Sequence, residues 1–191
     1  LFAPKCRTQS QLFQPADTLN KKRFWSAIGV SSATYSAFTI GLNALWYADY
    51  ERSSFHLFND WNEWQNMDKY GHAYNGYFQS QLVYSGARWT GLDKSSSLWV
   101  GMGSAMLFQS TIEVLDGFSK EWGFSVPDMA FNIAGAALFG LQQHYWDEQK
   151  ILIKFSAFPV DHPNLSILSN EGHLTTLQQR AQHLFGTGLP S

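Results

Sequence analysis

Cysteine is almost absent from this chain of 191 residues. A single cysteine, Cys6, excludes an internal disulfide, and without a second cysteine nearby it makes no metal site by itself. The lipid-modified cysteine of a lipoprotein is the first mature residue, whereas five residues precede Cys6, so a surface thiol is the simpler interpretation. The chain begins at Leu1 rather than Met, which is compatible with an upstream signal peptide that has been removed.

Charge is also scarce. Charged residues make up 15% of the chain, against about 25% in ordinary soluble domains, and the net charge of -2 with a pI near 6.3 leaves no electrostatic footprint for nucleic acid. Aromatic residues reach 16%, an excess that suits a membrane interface, while a mean hydropathy of -0.23 argues against a conventional polytopic membrane protein. Together these values favour a membrane-associated helical protein with a polar interior. The chain also lacks a Gly-rich phosphate loop and a Gly-x-Ser-x-Gly elbow.

The pattern of apolar and small residues predicts an all-α fold, a compact bundle of about four helices with small-residue packing seams. We expect helices over about 24–47, 66–89, 95–115 and 126–146, the third capped by Ser95 or Ser96 and the fourth by Ser125. A short strand is expected near 151–155 and a brief helix near 174–185. The organisation predicted is an N-terminal arm over 1–22, a helical domain over 23–158 and a C-terminal arm over 159–191.

The first predicted helix, from Phe24 to Tyr47, contains no charged residue. At about 1.5 Å per residue it is long enough for a bilayer core of roughly 30 Å, and Trp25 and Trp46 stand near its ends as interfacial anchors do. Several serine and threonine residues dilute its hydropathy, so a buried core helix is the alternative. Both interpretations predict an uninterrupted helix.

Ionisable side chains recur at helical spacing inside these apolar segments. The set contains Asp68, Lys69, His72, Glu113, Asp116, Asp128 and Asn132. A buried carboxylate without a partner is costly, so we expect Glu113 to face His72 or Lys69. Asp68, His72, Glu113 and Asp128 are ligands suited to zinc or another divalent ion, but a buried polar network that only fixes helix register explains the same pattern. We therefore expect no cofactor and keep a divalent metal as the alternative.

These motifs resemble the YfiM family, a domain of unknown function in predicted periplasmic proteins and lipoproteins of Gram-negative bacteria. The resemblance covers roughly 66–158 and is closest to long members from Bacteroidota, which continue beyond the point that matches Leu184. It rests on Asp68-Lys69-x-x-His72, Glu113-x-x-Asp116 and Ser125-x-x-Asp128-x-x-x-Asn132-x-x-Gly135. The same polar residues are similar, more thinly, to VanZ-like membrane proteins, although the Gln-x-Phe and Arg elements after the Glu are missing here. Both resemblances imply an envelope location and a helical fold, and neither implies an established reaction.

Two functions follow as hypotheses. The first is a non-enzymatic accessory protein of the bacterial envelope, on the periplasmic side of the outer membrane or embedded in a membrane, whose partners are lipid and a larger envelope membrane protein. The second is an envelope enzyme that acts on a lipid or glycan phosphate through an Asp/His/Glu/Asp metal or acid–base site. The sequence does not decide whether the chain is an enzyme.

Overall fold

The computed structural model describes residues 14–45, 47–61, 66–154, 167–169 and 172–174. Four helices account for most of this part: α1 (Lys21–Leu45), α2 (Met67–Trp89), α3 (Lys94–Gly117) and α4 (Val126–Tyr145). The all-α bundle expected from the sequence is therefore confirmed. Cys6, Trp46, residues 155–166 and most of the C-terminal arm lie outside the described residues, as does the helix expected near 174–185 apart from Leu174, which is in a strand.

Helices α2, α3 and α4 pack against one another and form the body of the molecule. The close approach of α2 and α4 depends on glycine, because a Cβ at Gly135 would lie 1.9 Å from the Ala73 carbonyl oxygen and one at Gly76 would lie 2.3 Å from the Asn132 carbonyl oxygen. Gly101 has the same role between α3 and α2. Gly103 has no such role, because a Cβ at this position would meet nothing within 4 Å.

The helix ends follow local sequence signals. Ser125 caps α4 as predicted, since its side chain accepts a hydrogen bond from the Asp128 backbone N–H. The cap of α3 is Asp93 rather than Ser95 or Ser96, and its carboxylate accepts from the Ser96 N–H. A carboxylate two residues before Ser95 is an equally good cap, so the sequence did not distinguish them.

Very little of the described chain is strand. Strand β1 (Leu57–Phe58) pairs in parallel with β2 (Phe124–Ser125), and β3 (Ile167–Ser169) pairs antiparallel with β4 (Gly172–Leu174). The strand expected near 151–155 is absent over 151–154. The reason is that Gln142 takes both backbone groups of Ile151: its Oε1 accepts from the N–H at 2.6 Å and its Nε2 donates to the carbonyl at 3.0 Å.

Helix α1 is uninterrupted over Lys21–Leu45, but it ends before the predicted limit at Tyr47, which lies in a short 3-10 helix, Tyr47–Asp49. It contacts the body through Tyr35, whose hydroxyl bonds that of Thr111 at 2.7 Å, and through Phe38 against Phe108. Among the described helices, the one long and apolar enough to cross a membrane is α3, not α1, and 28% of its most apolar stretch is buried. The placement of α1 in a membrane remains a prediction.

The distribution of polarity is inverted relative to an ordinary soluble domain. Among the described residues, seven hydrophobic side chains are buried, against thirteen polar or charged ones. Large apolar side chains lie outside instead, with Trp99 70% exposed, Leu107 60% and Leu141 57%. Buried polar groups need partners, so the interior of the body must be organised by hydrogen bonds and ion pairs.

Candidate functional site

Lys69 is the centre of a buried charge cluster. Its side chain is 1% exposed, and its Nζ lies 2.7 Å from Asp60, 2.5 Å from Asp128 and 3.2 Å from Asp68. Three chain segments supply these carboxylates: the one after β1, the first turn of α4 and the first turn of α2. Burial alone would lower the pKa of Lys69, but the surrounding carboxylates raise it above its ordinary value, so the ammonium is charged at neutral pH.

His72 lies one turn further along α2 and faces two groups of partners. Its Nε2 is 3.5 Å from Asp68 and 3.7 Å from Asp128, while its Nδ1 is 3.2 Å from the Asn132 side-chain oxygen and 3.6 Å from Glu113. Burial by itself would lower the pKa of His72, but the neighbouring carboxylates, Asp68 foremost, raise it to about 9. The imidazole is therefore a cation at neutral pH.

Glu113 projects from α3 into this cluster and is 2% exposed. Its Oε2 accepts a hydrogen bond from the Ser125 backbone N–H at 3.2 Å, and its Oε1 faces His72, as the cost of burying a lone carboxylate predicted. Burial raises the pKa of Glu113 to about 8, against the opposing effect of His72. The carboxyl is therefore mostly protonated at pH 7.

Asp60 and Ser125 belong to the cluster but were missed as site residues by the sequence analysis. Asp60 is 7% exposed, and the Ser125 hydroxyl, beyond its capping role, donates to it at 2.7 Å. Asp60 lies in an aromatic segment without helical periodicity that carries other acidic residues, so no sequence signal marked it as buried. The parallel pairing of β1 with β2 brings it to Ser125, and this contact is non-local.

Asp60 and Asp128 are coupled acids that share the Lys69 ammonium. Burial raises the pKa of Asp128 to about 6, and the nearby Asp60 adds to that shift. Burial opposes ionisation of Asp60 as well, but hydrogen bonds with Asp128, Lys69 and Ser125 hold the pKa of Asp60 below its usual range. Asp60 and Asp128 therefore have different pKa values, because their hydrogen-bond partners differ.

Asp116 lies beside the cluster rather than inside it. Its carboxylate accepts a hydrogen bond from the Tyr47 hydroxyl at 2.5 Å, and it has no ion pair with Lys69 or His72 among the described residues. Burial raises the pKa of Asp116 to about 6. The structure therefore brings Asp116 near the other predicted residues but gives it a different partner.

Two buried amides complete the polar interior. Asn132 is 0% exposed and Gln109 is 1% exposed, and the side-chain nitrogen of each donates to no acceptor in the described part of the protein. Lys69 and Glu113 are buried, so the cluster is closed to solvent at these two residues. It is open at the opposite edge, since the side chains of Asp68 and His72 are 43% and 17% exposed.

The arrangement can hold positive charge and move protons. At neutral pH it contains two cations, Lys69 and His72, against ionised Asp60, Asp68 and Asp128. His72 bridges the solvent-exposed carboxylate and the buried Glu113. The donor set of carboxylates and imidazole is also one that divalent metals accept.

Comparison with known proteins gives one match. Residues 57–144, which are 88 of the 191 and contain the whole charge cluster, match a family model described as "Predicted periplasmic lipoprotein (DUF2279)". No curated protein and no solved structure matches the chain. The finer resemblances to YfiM and VanZ proteins are not confirmed by this match. What it does support is a place for this chain among envelope proteins of the periplasmic side whose function is unknown.

Proposed function

We propose that this chain is a non-enzymatic accessory protein of the bacterial envelope. Its apolar outer surface lies against a membrane and docks there onto a larger outer-membrane protein complex, while the buried charge cluster fixes the helices in register. The periplasmic family match supports the compartment. The observation that carries the proposal is the inverted polarity of α3 and α4.

Helix α3 turns its apolar side chains outward. Trp99, Leu107 and Val114 are 70%, 60% and 43% exposed and lie within about 80° of one another around the helix, at 100° per residue. The buried Gln109 and Glu113 lie on the adjacent side of the helix, which faces the body of the molecule. A helix exposed to water would reverse this arrangement, so the outer face favours an apolar environment.

Helix α4 repeats the pattern. Ile133 and Leu141 are more than half exposed, whereas Asp128, Asn132 and Gln142 are buried on the inner face. Both α3 and α4 therefore turn apolar side chains away from the body of the molecule. Lipid and the apolar surface of a membrane protein are the two neighbours that such a surface fits.

The charge cluster accounts for the interior of this body. Lys69 joins α2 to α4 and to the segment after β1, and His72 joins α2 to α3 through Glu113. Because the apolar core of the described residues is small, these contacts are what specify how the helices pair. A register role of this kind needs no substrate.

Flotation with vesicles of phosphatidylethanolamine and phosphatidylglycerol tests the membrane contact. We expect the wild type to float and the double variant Trp99→Ser/Leu107→Ser to remain at the bottom. Leu57→Ser is the matched control, since Leu57 is 66% exposed but lies in β1 rather than on α3. A wild type that stays at the bottom would contradict the membrane contact, and complete release of the native protein by carbonate, without detergent, would contradict a membrane-spanning placement of Phe24–Tyr47.

Purification from native membranes in mild detergent tests the docking. We expect the chain to co-migrate with a larger membrane protein in size-exclusion chromatography, and the Trp99→Ser/Leu107→Ser variant to lose this partner. Recovery of the free monomer alone, under detergents that preserve known envelope complexes, would count against a docking role.

A second candidate function is favoured by the open edge of the cluster. Asp68 and His72 reach solvent while Glu113 and Asp128 lie behind them, which is an arrangement that an envelope enzyme acting on a lipid or glycan phosphate could use for acid–base chemistry. Phosphate release from such substrates, lost in His72→Gln with the fold retained, would favour the enzyme. No release from any of them leaves the accessory role as the better explanation.

A further inference from the structure

We infer that Asp68, His72 and Asp128 form a binding site for one divalent transition-metal ion, with zinc as the best-fitting ion. One ligand atom from each of the three lies within 4.8 Å of the other two. The inference goes beyond the proposed function, which needs no metal, and the two are tested by separate experiments.

The spacing of the ligand atoms carries the inference. His72 Nε2 is 3.5 Å from Asp68 Oδ1 and 3.7 Å from Asp128 Oδ2. Charge-assisted hydrogen bonds are shorter, at about 2.7–2.9 Å. Ligands at about 2.0–2.1 Å from a tetrahedral zinc ion are separated by roughly 3.3 Å, so the observed separations are close to those of a shared ion.

The other side of the imidazole is held as in known metal sites. Nδ1 of His72 is 3.2 Å from the Asn132 side-chain oxygen and 3.6 Å from Glu113. Metal-ligating histidines commonly donate their second N–H to a carboxylate or a carbonyl, which fixes the tautomer and the orientation of the ring. Asn132 and Glu113 are therefore outer partners that aim Nε2 at the two aspartates.

The two oxygens of the buried Asp128 carboxylate have different neighbours. The side chain is 6% exposed, Oδ1 lies 2.5 Å from the Lys69 ammonium, and Oδ2 faces His72 Nε2 at 3.7 Å. At neutral pH the three charges of Asp60, Asp68 and Asp128 exceed those of Lys69 and protonated His72 by one. A divalent ion that takes the place of the His72 proton brings the sum to zero.

The site is also reachable. Asp68 is 43% exposed at its side chain and His72 17%, so an ion enters from the open edge of the cluster. Three protein ligands leave the fourth tetrahedral position to water or to another group. That is the pattern of an open zinc site rather than of a closed structural one.

Zinc titration of the full chain tests the inference. The protein, in a Cys6→Ser background that removes the thiol, is stripped with chelator and titrated with zinc chloride by calorimetry, and metal content is measured after dialysis. We expect one zinc ion per chain. Asp68→Asn and His72→Gln should weaken binding by more than about 100-fold, and Glu113→Gln by about 10–100-fold as an outer partner.

Asp116→Asn is the matched control, because it makes the same chemical change as Asp68→Asn in a neighbouring carboxylate that bonds Tyr47 instead. It should bind zinc like the wild type. Cobalt titration adds a readout of geometry, since tetrahedral cobalt absorbs strongly in the visible range and this absorption should vanish in Asp68→Asn. Because Asp68 is partly exposed, that variant tests the site even if His72→Gln fails to fold.

Two results would overturn the inference. One is the absence of stoichiometric zinc binding by the folded wild type. The other is binding that Asp68→Asn and Asp116→Asn leave equally unchanged, which would place the ion elsewhere in the chain.

Discussion

Removing the positive charge of Lys69 gives the most decisive test of the buried cluster. Lys69→Met keeps the length of the side chain but leaves Asp60 and Asp128, at 2.7 and 2.5 Å from the lost ammonium, without their cation. At an effective dielectric constant of about 20, a unit pair 2.7 Å apart attracts by roughly 6 kcal/mol before desolvation is subtracted. Breaking a buried pair from one side typically costs about 3–5 kcal/mol, and we expect that loss in the free energy of unfolding at pH 8.

The loss should depend on pH. The pKa of Asp128 is already about 6 beside Lys69, and without the ammonium it rises further. Protonation of the carboxyls at pH 5 removes most of the uncompensated charge, so the variant should lose much less stability there than at pH 8. In the wild type, the stabilisation by Lys69 is present throughout this range, since its folded pKa is raised and the contribution is lost only above its ordinary pKa of about 10.5.

Urea unfolding in mild detergent, followed by tryptophan fluorescence, measures the free energy of unfolding of the variant and the wild type at pH 8 and at pH 5. The triple variant Asp60→Asn/Lys69→Met/Asp128→Asn should recover much of the loss if the cluster has a structural role. Lys120→Met is the control, because the Lys120–Glu51 pair is exposed on both sides and its removal should change nothing measurable. A loss below about 1 kcal/mol for Lys69→Met, or an equal loss at pH 5 and pH 8, would refute the reasoning.

Three further predictions use the same unfolding assay in the presence of chelator. Gly135→Ala should lower the free energy of unfolding by about 1–3 kcal/mol, because its Cβ would meet a carbonyl of α2 at 1.9 Å. Gly103→Ala, with nothing within 4 Å, should raise it by about 0.5–1 kcal/mol. Similar effects of both substitutions would contradict the close contact of α2 and α4 at Gly135. The pKa of Asp116 is raised from 3.8 to about 6, so ionisation of this carboxyl lowers the stability of the folded state above pH 6. Asp116→Asn should therefore be more stable than the wild type by up to about 3 kcal/mol at pH 8, and no more stable at pH 4. The pKa of His72 is raised from 6.5 to about 9, so its contribution of about 3 kcal/mol is complete below pH 6.5 and lost as pH rises through 9; a deficit of His72→Gln that does not shrink over this range would contradict the pairing.

The bounds of the helices were accessible from the sequence because they depend on local chemistry. The α2 prediction, 66–89, agrees with Met67–Trp89, and Ser125 was identified as the cap of α4 from its place before Pro127 and Asp128. The sequence prediction was wrong for the cap of α3, which is Asp93, and for the strand expected near 151–155, which is absent over 151–154. In the second case, a side chain nine residues away takes the backbone groups of Ile151, and periodicity carries no information about such a contact.

The composition and spacing of the charge cluster were also determined by the sequence. Asp68, Lys69 and His72 share a helix, and the cost of burying Glu113 alone was enough to predict that it faces this group. What only the tertiary structure decided is which acids meet Lys69. Asp60 joins it because β1 pairs with β2, and Asp116 turns away to Tyr47, although Asp116 and not Asp60 was the predicted member of the cluster. A carboxylate's partner is set by contacts between segments distant in the chain, and the open edge at Asp68 and His72 exists only once three helices have packed.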